Sequence, residues 1–305
     1  MGNYQNLLGI AKRSTTLAGE YLMSGFRTSP ELTSFLGDKT RSGMFTEFDK
    51  GSNEILITNL AEGFFEEMND AKVFICSEET GFSVVERKKK TAIDYHQSVS
   101  SCAIGENDYT WVIDPICGSI PFARGIADFI VAVSLMKGGE TVLGVVYDPV
   151  QEEQFFAING EGAYLNNQLI APSNISSIED AYLSIEHKIF RLAPTSDLQK
   201  LSSLIRRLRV AGTCGLELAY IACGRLDGLI KLDQPLYDYS AGVIILLEAL
   251  KRKAGITQLD GVTRIYPHLS LDKNTSFVAS NGLVHSAISC ITKQWLFDCR
   301  TGVKN

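Results

Sequence analysis

A series of short apolar segments separated by glycine-containing turns, between residues 110 and 165, most constrains the fold of this chain. Two pairs of these segments predict β-hairpins, because one pair encloses Gly138-Gly139 and the other encloses Asn159-Gly160. Upstream, apolar residues recur at three- and four-residue steps over 4–26 and 49–68, which predicts two amphipathic helices. The predicted strands cover residues 110–113, 129–137, 141–147, 154–158 and 162–165.

The second half of the chain alternates predicted strands with predicted helices. Gly224 stops one helix, and Asp238 stands where the N-cap of the next helix is expected, with Gly255 after its basic last turn. Together with the first half, this pattern predicts a layered α/β fold in two halves, residues 1–150 and 151–305. The predicted elements outside the hairpins are a strand over 73–76, a helix over 217–223, a strand over 229–232 and a helix over 240–253.

The composition excludes several classes of protein. The chain has 29 basic and 35 acidic residues and a formal net charge of −6, which argues against nucleic-acid binding. Seven cysteines include no Cys-x-x-Cys pair, so we expect reduced thiols rather than a disulfide framework or a zinc knuckle. The longest apolar runs are too short to span a bilayer, and the first residues contain no apolar stretch long enough for a signal peptide. We therefore expect a cytoplasmic protein that binds neither nucleic acid nor membrane.

Acidic side chains stand at strand ends and helix starts, where the backbone points them out of the core. Asp49 lies at a helix start, Glu78 and Glu79 follow a predicted strand, Asp114 follows another, and Asp238 opens a helix. Any one of them could be a cap or a surface acid. As a set, they can converge on one crevice and supply the oxygen ligands that a hard cation such as Mg²⁺ prefers.

The most informative segment is Asp114-Pro115-Ile116-Cys117-Gly118-Ser119, which follows a predicted strand. Its Gly118-Ser119 pair predicts a turn whose backbone N–H groups could bind a phosphate if the turn opens a helix. The Ser119 hydroxyl could hold a water molecule. The alternative is a simple turn in which the hydroxyl is a helix cap.

These motifs, taken in order, resemble those of the inositol monophosphatase family within the magnesium-dependent, lithium-sensitive phosphatases. The central motif of that family, Asp-Pro-x-Asp-Gly-Thr/Ser, is matched by residues 114–119 with cysteine at 117. Weaker matches follow at 162–166, 212–213, 224–228 and 278–281. The other motifs are Thr-x-x-Asp-Lys at 46–50, Gly-Glu-Glu at 77–79 with serine first, and Trp-Asp-x-Ala-x-Gly at 237–242 with tyrosine first and serine fourth.

The resemblance implies a layered α/β/α/β/α sandwich with an active site between its two halves. A first Mg²⁺ would be held by Glu78, Asp114 and the Ile116 carbonyl, and a second by Asp114, Cys117 and Asp238. Glu78 would also help to hold a third ion through water, and Glu79 would lie behind these ligands. The implied metal ligands are thus Glu78, Asp114, Ile116, Cys117 and Asp238.

The resemblance also implies the catalytic and substrate-binding residues. Asp49 and Ser119 would orient and deprotonate the attacking water, with Glu78 as a further catalytic residue. The amides of Gly118 and Ser119 would bind the phosphate. The residues implied near the alcohol part of the substrate are Gly212 and Thr213, with Lys231 at a position where the family has a substrate-contacting Glu.

Three departures distinguish this chain from the family. Cys117 replaces the second Asp of the central motif, and a thiol is a poor ligand for Mg²⁺, so Mn²⁺ or Zn²⁺ becomes an alternative metal. Lys231 can only donate hydrogen bonds, which favours a substrate with an extra anionic group over a neutral cyclitol. The polar segment 84–108 is longer than usual, and we expect an exposed loop or hairpin near the site.

The sequence favours metal-dependent hydrolysis of a small phosphomonoester, such as a cyclitol or sugar phosphate, by a homodimeric enzyme. The alternative is a catalytically impaired member that binds a phosphorylated ligand or a protein partner without turnover. Cys117 favours the alternative, and the retained acids favour hydrolysis. Activity on bisphosphate nucleotides has no positive support. A cysteine nucleophile is disfavoured, because Arg124 lies too far from Cys117 for a cysteine-phosphatase loop.

Overall fold

A computed structural model describes residues 4–27, 47–68, 70, 72–89, 92–96, 105–251, 255–265 and 274–301. Within these residues no helix is long and apolar enough to cross a membrane. The helices are α1 (Tyr4–Gly25), α2 (Glu47–Met68), α3 (Ser119–Ala123), α4 (Ile189–Leu192), α5 (Thr195–Leu204), α6 (Cys214–Ala222), α7 (Leu236–Ala249) and α8 (His285–Thr301). The strands are β1 (Lys72–Ser77), β2 (Gly81–Lys89), β3 (Ala92–His96), β4 (Tyr109–Cys117), β5 (Ile130–Lys137), β6 (Glu140–Asp148), β7 (Glu153–Ile158), β8 (Gly162–Leu165), β9 (Gln168–Leu169), β10 (Tyr182–Ile185), β11 (Arg207–Arg209), β12 (Gly228–Gln234), β13 (Ile256–Gln258) and β14 (Thr275–Ser280).

The first sheet has the strand order β3-β2-β1-β4-β5-β6-β7-β8-β9. Strands β1 and β4 run parallel, whereas β5 to β9 form an antiparallel meander. Both predicted hairpins are confirmed. Gly138 and Gly139 adopt φ values of 55° and 87° between β5 and β6, the left-handed region that a two-residue turn requires.

The second sheet has the order β11-β10-β12-β14-β13. Strands β11, β10 and β12 run parallel, and β14 pairs antiparallel with both β12 and β13. The first sheet continues to Leu169, so strands β7 to β9 belong to it although they follow residue 150. The division into residues 1–150 and 151–305 stays a prediction. Along the chain, the strands pass from the first sheet to the second between β9 and β10, which is after residue 150.

Three apolar cores fill the four interfaces between five layers of secondary structure, because the core around α6 and α7 extends to both sheets. On β5, Ile130 and Ala132 face the core shared with α6 and α7, whereas Val131 and Val133 face the core shared with α1 and α2. Side chains alternate between the faces of a strand, so a sheet covered on both faces has apolar residues at nearly every position. A third core lies between the second sheet and helices α5 and α8. The predicted α/β/α/β/α order is confirmed.

Helix α7 begins and ends earlier than the sequence predicts. It starts after Pro235, so Asp238 lies inside the first turn and is not the N-cap. Proline is favoured at the start of a helix because it has no N–H that needs a hydrogen-bond partner. Pro235 was therefore a better signal for the helix start than Asp238. The helix ends at Ala249, and Lys251 adopts a left-handed φ of 52°. The predicted stop at Gly255 is therefore wrong.

Part of the polar segment 84–108 forms a hairpin. Strand β3 pairs antiparallel with β2, at the edge of the first sheet. This confirms the hairpin expectation for residues 84–89 and 92–96. Residues 90–91 and 97–104 lie outside the described residues.

Gly242 should be intolerant of a side chain, because α6 and α7 touch there. A Cβ added at Gly242 would lie 2.8 Å from Leu218 Cβ and 2.9 Å from the Gly215 carbonyl oxygen. We expect Gly242→Ala to lower the free energy of unfolding by about 1–3 kcal/mol, as overpacked cores do, in urea denaturation. Gly9→Ala is the control, since an added Cβ there meets one atom of the flexible Arg13 side chain at 3.4 Å. Equal stability of Gly242→Ala and the wild type would contradict this packing.

Candidate active site

Asp114 lies near the end of β4, in a part of the strand that is buried throughout. The β4–β5 register shifts between Asp114 and Cys117, where Pro115 has no N–H for the ladder. Both carboxylate oxygens of Asp114 are buried, and neither has a hydrogen-bond donor within the described residues. Burial raises its pKa well above the ordinary value, and the charges of Glu78 and Asp238 raise it further. An unpartnered buried carboxylate is costly unless a cation accompanies it.

Glu78 lies beside Asp114 because β1 and β4 are parallel neighbours. Ser77 pairs with Ile113, and the Glu78 N–H donates to the Ile113 carbonyl oxygen at 3.3 Å. Glu78 is exposed as a residue, but desolvation of its carboxyl group raises its pKa to about 7, with further increases from the charges of Asp238 and Asp49. Burial also raises the pKa of Glu79 to about 7. The end of β1 therefore places two acids in surroundings that resist negative charge.

Asp49 reaches the site from the first turn of α2 and is 1% exposed. The Ser119 hydroxyl lies 3.2 Å from Asp49 Oδ1 and 3.1 Å from the Ile116 carbonyl oxygen. A second link fixes the helix to the central motif, since the Ser52 hydroxyl donates to the Pro115 carbonyl oxygen at 2.8 Å. Helix α2 thus presents Asp49 to Ser119 in a geometry suited to orienting a water molecule.

The turn at Gly118 depends on the absence of a side chain. Gly118 has a φ of 103°, and an added Cβ would lie 2.6 Å from the Asp128 carbonyl oxygen and 3.0 Å from Thr213 Cγ2. Helix α3 begins at Ser119, and the Phe122 N–H donates to the Gly118 carbonyl oxygen at 3.0 Å. The turn therefore opens a helix, which was the condition for phosphate binding by its N–H groups. The helix, α3, has only five residues.

Asp238 approaches from the other side of the site, in the first turn of α7. Burial raises its pKa to about 7, while the positive charge of Lys231 lowers it. Two residues along, the Ser240 and Ser134 hydroxyls lie 2.8 Å apart, which fixes α7 to β5. The four acids Asp49, Glu78, Asp114 and Asp238 therefore come together from α2, β1, β4 and α7.

Cys117 faces the same acids. Its side chain is buried, and burial together with the charges of Asp114 and Asp238 raises the pKa of the thiol well above the ordinary value. The Cys214 thiol lies close enough to add to this increase. The Cys117 side chain is therefore a neutral thiol at pH 7, in the place where the family pattern has a carboxylate.

Lys231 does not lie against open solvent. Its side chain is 1% exposed, and its ammonium is 2.5 Å from Glu217 Oε2 and 3.5 Å from Glu186 Oε2. The Ser184 hydroxyl donates to the other oxygen of Glu217. Two carboxylates already compensate the ammonium charge. The contact between Lys231 and an anionic substrate group stays a prediction. In this structure Lys231 forms internal ion pairs near Asp238.

Thr213 lies directly against the Gly118 turn, whereas Gly212 stands at the surface of the same loop with no atom within 4 Å of an added Cβ. The Thr213 hydroxyl donates to Asp128 Oδ1 at 3.2 Å. Arg209 Nη2 donates to the same oxygen at 2.9 Å.

The sequence analysis missed several residues around the site. Glu217 and Glu186 were not singled out, because their spacing from Lys231 shows no pattern along the chain. One signal was present for Glu217: a single acid in a helix that is otherwise apolar over 214–222. The residues missed are Asp128, Glu186, Arg209, Cys214 and Glu217.

The donor set fits one hard cation better than two. Within the described residues, no group of three or more His, Cys, Asp or Glu side chains is arranged to hold an ion as it stands. The two unpartnered oxygens of Asp114, with Glu78 beside them, nevertheless offer hard ligands in need of positive charge. A neutral Cys117 thiol offers Mg²⁺ no such ligand, so the position shared by Asp114, Cys117 and Asp238 fits it poorly.

The chain was compared with known proteins. A family model described as the inositol monophosphatase family matches residues 3–288. Inositol monophosphatase 1 of Solanum lycopersicum is 31% identical over 259 residues, which cover 81% of this chain and 84% of that protein. A Nus factor SuhB of Pasteurella multocida is 29% identical over 248 residues, which cover 80% and 82%.

Solved structures show the same fold. An IMPase of Thermotoga maritima gives a TM-score of 0.73 at 22% identity, covering 96% of this chain and 98% of that one. An inositol monophosphatase from Anabaena gives 0.69 at 24% identity, covering 96% and 97%. With a family model that matches nearly the whole chain and a relative above 30% identity over four fifths of it, this chain belongs to the inositol monophosphatase family.

Proposed function

We propose that the protein hydrolyses a small phosphomonoester, a cyclitol or sugar phosphate, with the help of a bound divalent cation. The observation behind this proposal is the convergence of Asp49, Glu78, Asp114 and Asp238 from four separate elements beside the Ser119 hydroxyl. The family is generally metal-dependent, and its named relatives include inositol monophosphatases. A set of converging acids beside a helix-opening glycine turn, with Asp49 and Asp114 fully buried, fits an anionic substrate only if positive charge is also present.

In this proposal each residue has a distinct task. Asp49 Oδ1 accepts a proton from the attacking water, and the Ser119 hydroxyl orients that water by accepting or donating a hydrogen bond. The amides of Gly118 and Ser119 donate to the phosphate oxygens. Thr213 and Gly212 border the alcohol part of the substrate.

The cation would be held by Glu78, Asp114 and the Ile116 carbonyl, with Asp238 close by and Glu79 behind them. When bound, it supplies Lewis acidity that lowers the pKa of water and offsets charge on the phosphoryl oxygens. We propose Mg²⁺ for these oxygen ligands, with Mn²⁺ or Zn²⁺ as the alternatives that Cys117 raises. A homodimer and a cytoplasmic location are also proposed, on family grounds.

A second candidate function follows from Cys117. A neutral buried thiol at a position where the family has a carboxylate favours a member that binds a phosphorylated ligand or a protein partner with little turnover. The deciding experiment is phosphate release from sugar, cyclitol and nucleotide phosphates with Mg²⁺, Mn²⁺ or Zn²⁺. Release from a sugar or cyclitol phosphate supports the first function, and phosphate-ligand binding without release supports the second.

Asp114→Asn should remove metal binding and turnover together. We expect phosphate release to fall by more than about 100-fold, since even changes to residues that support a metal ligand cost 10–100-fold. The metal-free variant should unfold at a temperature no lower than the wild type, because an amide removes a buried charge that has no donor. Asp180→Asn, at an exposed position, is the control. Wild-type hydrolysis by Asp114→Asn would show that the site is misplaced.

Cys117→Asp distinguishes an impaired phosphatase from one with another metal. If residue 117 faces the cation, the added carboxylate should raise Mg²⁺-dependent turnover by about tenfold, which needs only ~1.4 kcal/mol of transition-state stabilisation. Cys117→Asn introduces a side chain with the shape of Asp but without its charge, and it should not show this gain in turnover. Wild-type turnover that needs Zn²⁺ or Mn²⁺ would indicate a changed metal. No change in rate or metal affinity with any ion would place residue 117 away from the metals.

The raised carboxyl pKa values predict a pH dependence of stability in the metal-free protein. The pKa values of Glu78 and Asp238 are raised to about 7, so the folded state holds protons that the unfolded chain has released. This stabilisation is complete below the ordinary pKa values and is lost as pH rises through about 7. We expect the metal-free melting temperature to fall between pH 5.5 and 8, and added Mg²⁺ to oppose the fall. An unchanged slope in Glu78→Gln would contradict the assignment.

A further inference from the structure

A partly exposed ion pair borders the Gly118 turn. Arg209 ends β11, and its Nη2 donates to Asp128 Oδ1 at 2.9 Å. The Thr213 hydroxyl donates to the same oxygen at 3.2 Å. The Asp128 carbonyl and the Thr213 methyl group are the atoms that an added Cβ at Gly118 would meet. In space, therefore, only Asp128 separates Arg209 from the turn where the proposed phosphate would lie.

Arg209 and Lys231 differ in their freedom to bind a ligand. Lys231 is 1% exposed and already compensated by two carboxylates. The Arg209 side chain is 28% exposed, and that of its partner Asp128 is 22% exposed. A guanidinium has five N–H donors in a planar fork, and within the described residues Arg209 uses one nitrogen, Nη2, in a hydrogen bond. The guanidinium also lies near the Tyr220 ring, with Cζ 5.8 Å from the ring centroid. Its exposed part is the part that could reach a ligand.

Contacts around Arg209 place it beside the Gly118 turn. Its guanidinium and the Thr213 hydroxyl share Asp128 Oδ1, and the Asp128 carbonyl lies against Gly118. Its positive charge also lowers the pKa of Glu217, the buried partner of Lys231. The surroundings of Thr213 are the region proposed for the alcohol part of the substrate.

We propose that Arg209 determines specificity by binding a second oxyanion, a carboxylate or a phosphate, on the alcohol part of the substrate. This inference rests on the proposed phosphomonoesterase function and deepens it by naming the substrate class. Asp128 positions the guanidinium by accepting from Nη2, and the fork of the guanidinium matches the two oxygens of an oxyanion. The requirement for an extra anionic group, expected of Lys231, is thereby assigned to Arg209.

The test compares three substrates on one glycerol frame, with Mg²⁺ present. Glycerol 3-phosphate has a neutral hydroxymethyl group where 3-phosphoglycerate has a carboxylate and glycerol 1,3-bisphosphate has a phosphate. We expect the wild-type kcat/KM to be at least tenfold higher for one of the anionic substrates than for glycerol 3-phosphate. The substrate with the higher value identifies carboxylate or phosphate as the group bound.

Three variants isolate the contribution of Arg209. Arg209→Gln should lose about tenfold in kcat/KM on the preferred anionic substrate and keep its value on glycerol 3-phosphate. Arg209→Lys preserves the charge toward Asp128, and thus the ion pair, but loses the planar fork, so it should retain part of the preference. Arg207→Gln, at an exposed position on the same strand, is the matched control and should change none of the values.

Two results would overturn the proposal: no wild-type preference for either anionic substrate, or an equal loss on all three substrates in Arg209→Gln. Absence of phosphate release from the wider screen would instead refute hydrolysis, and calorimetric binding of the same three compounds would then decide the role of Arg209. At least tenfold tighter wild-type binding of an anionic compound, lost in Arg209→Gln, supports the role. Equal wild-type affinities refute it.

Discussion

Mutual repulsion among converging acids, of which Asp49 and Asp114 are fully buried, is the constraint on which the candidate site depends. Asp114 has two buried carboxylate oxygens without a donor in the described part of the chain, and the charges of Glu78 and Asp238 act on it from neighbouring elements. Such an arrangement opposes folding, and it persists because apolar cores on both faces of the first sheet fix the ends of β1 and β4. Protons relieve the repulsion at low pH, and the divalent cation that we propose would relieve it at neutral pH.

Two departures from the family pattern alter this charge balance together. Cys117 removes one carboxylate from the acid set, and Lys231 introduces a buried cation near Asp238. The carboxylates of Glu217 and Glu186 compensate the positive charge of the Lys231 ammonium. Breaking such a buried set by removing one partner leaves an uncompensated charge, so these residues are expected to depend on one another. The result is a set of internal ion pairs near Asp238, with Arg209 as the more accessible cation.

Local signals explain which elements could be predicted. The hairpin at Gly138-Gly139 was predictable because a two-residue turn demands positive φ at both positions, and glycine provides it without strain. The start of α7 was misplaced because Asp238 and Pro235 both signal a helix start, and sequence spacing does not decide between them. The sheet also continues past the expected boundary at residue 150, since pairing of β7 to β9 depends on neighbours and not on local composition.

The sequence by itself predicted a layered α/β fold and singled out the acids Asp49, Glu78, Asp114 and Asp238, because motifs and apolar periodicity are local properties of the chain. The five-layer order followed from the family resemblance. Only the tertiary structure decided how distant charges are paired. Lys231 and Glu217 lie fourteen positions apart in the sequence, and Arg209 and Asp128 eighty-one apart, without any periodic relation. Their partnership follows from the packing of helices and sheets around the cleft. Coulomb energies depend on the distance between charges and on their burial, and the spacing of residues along the sequence predicts neither.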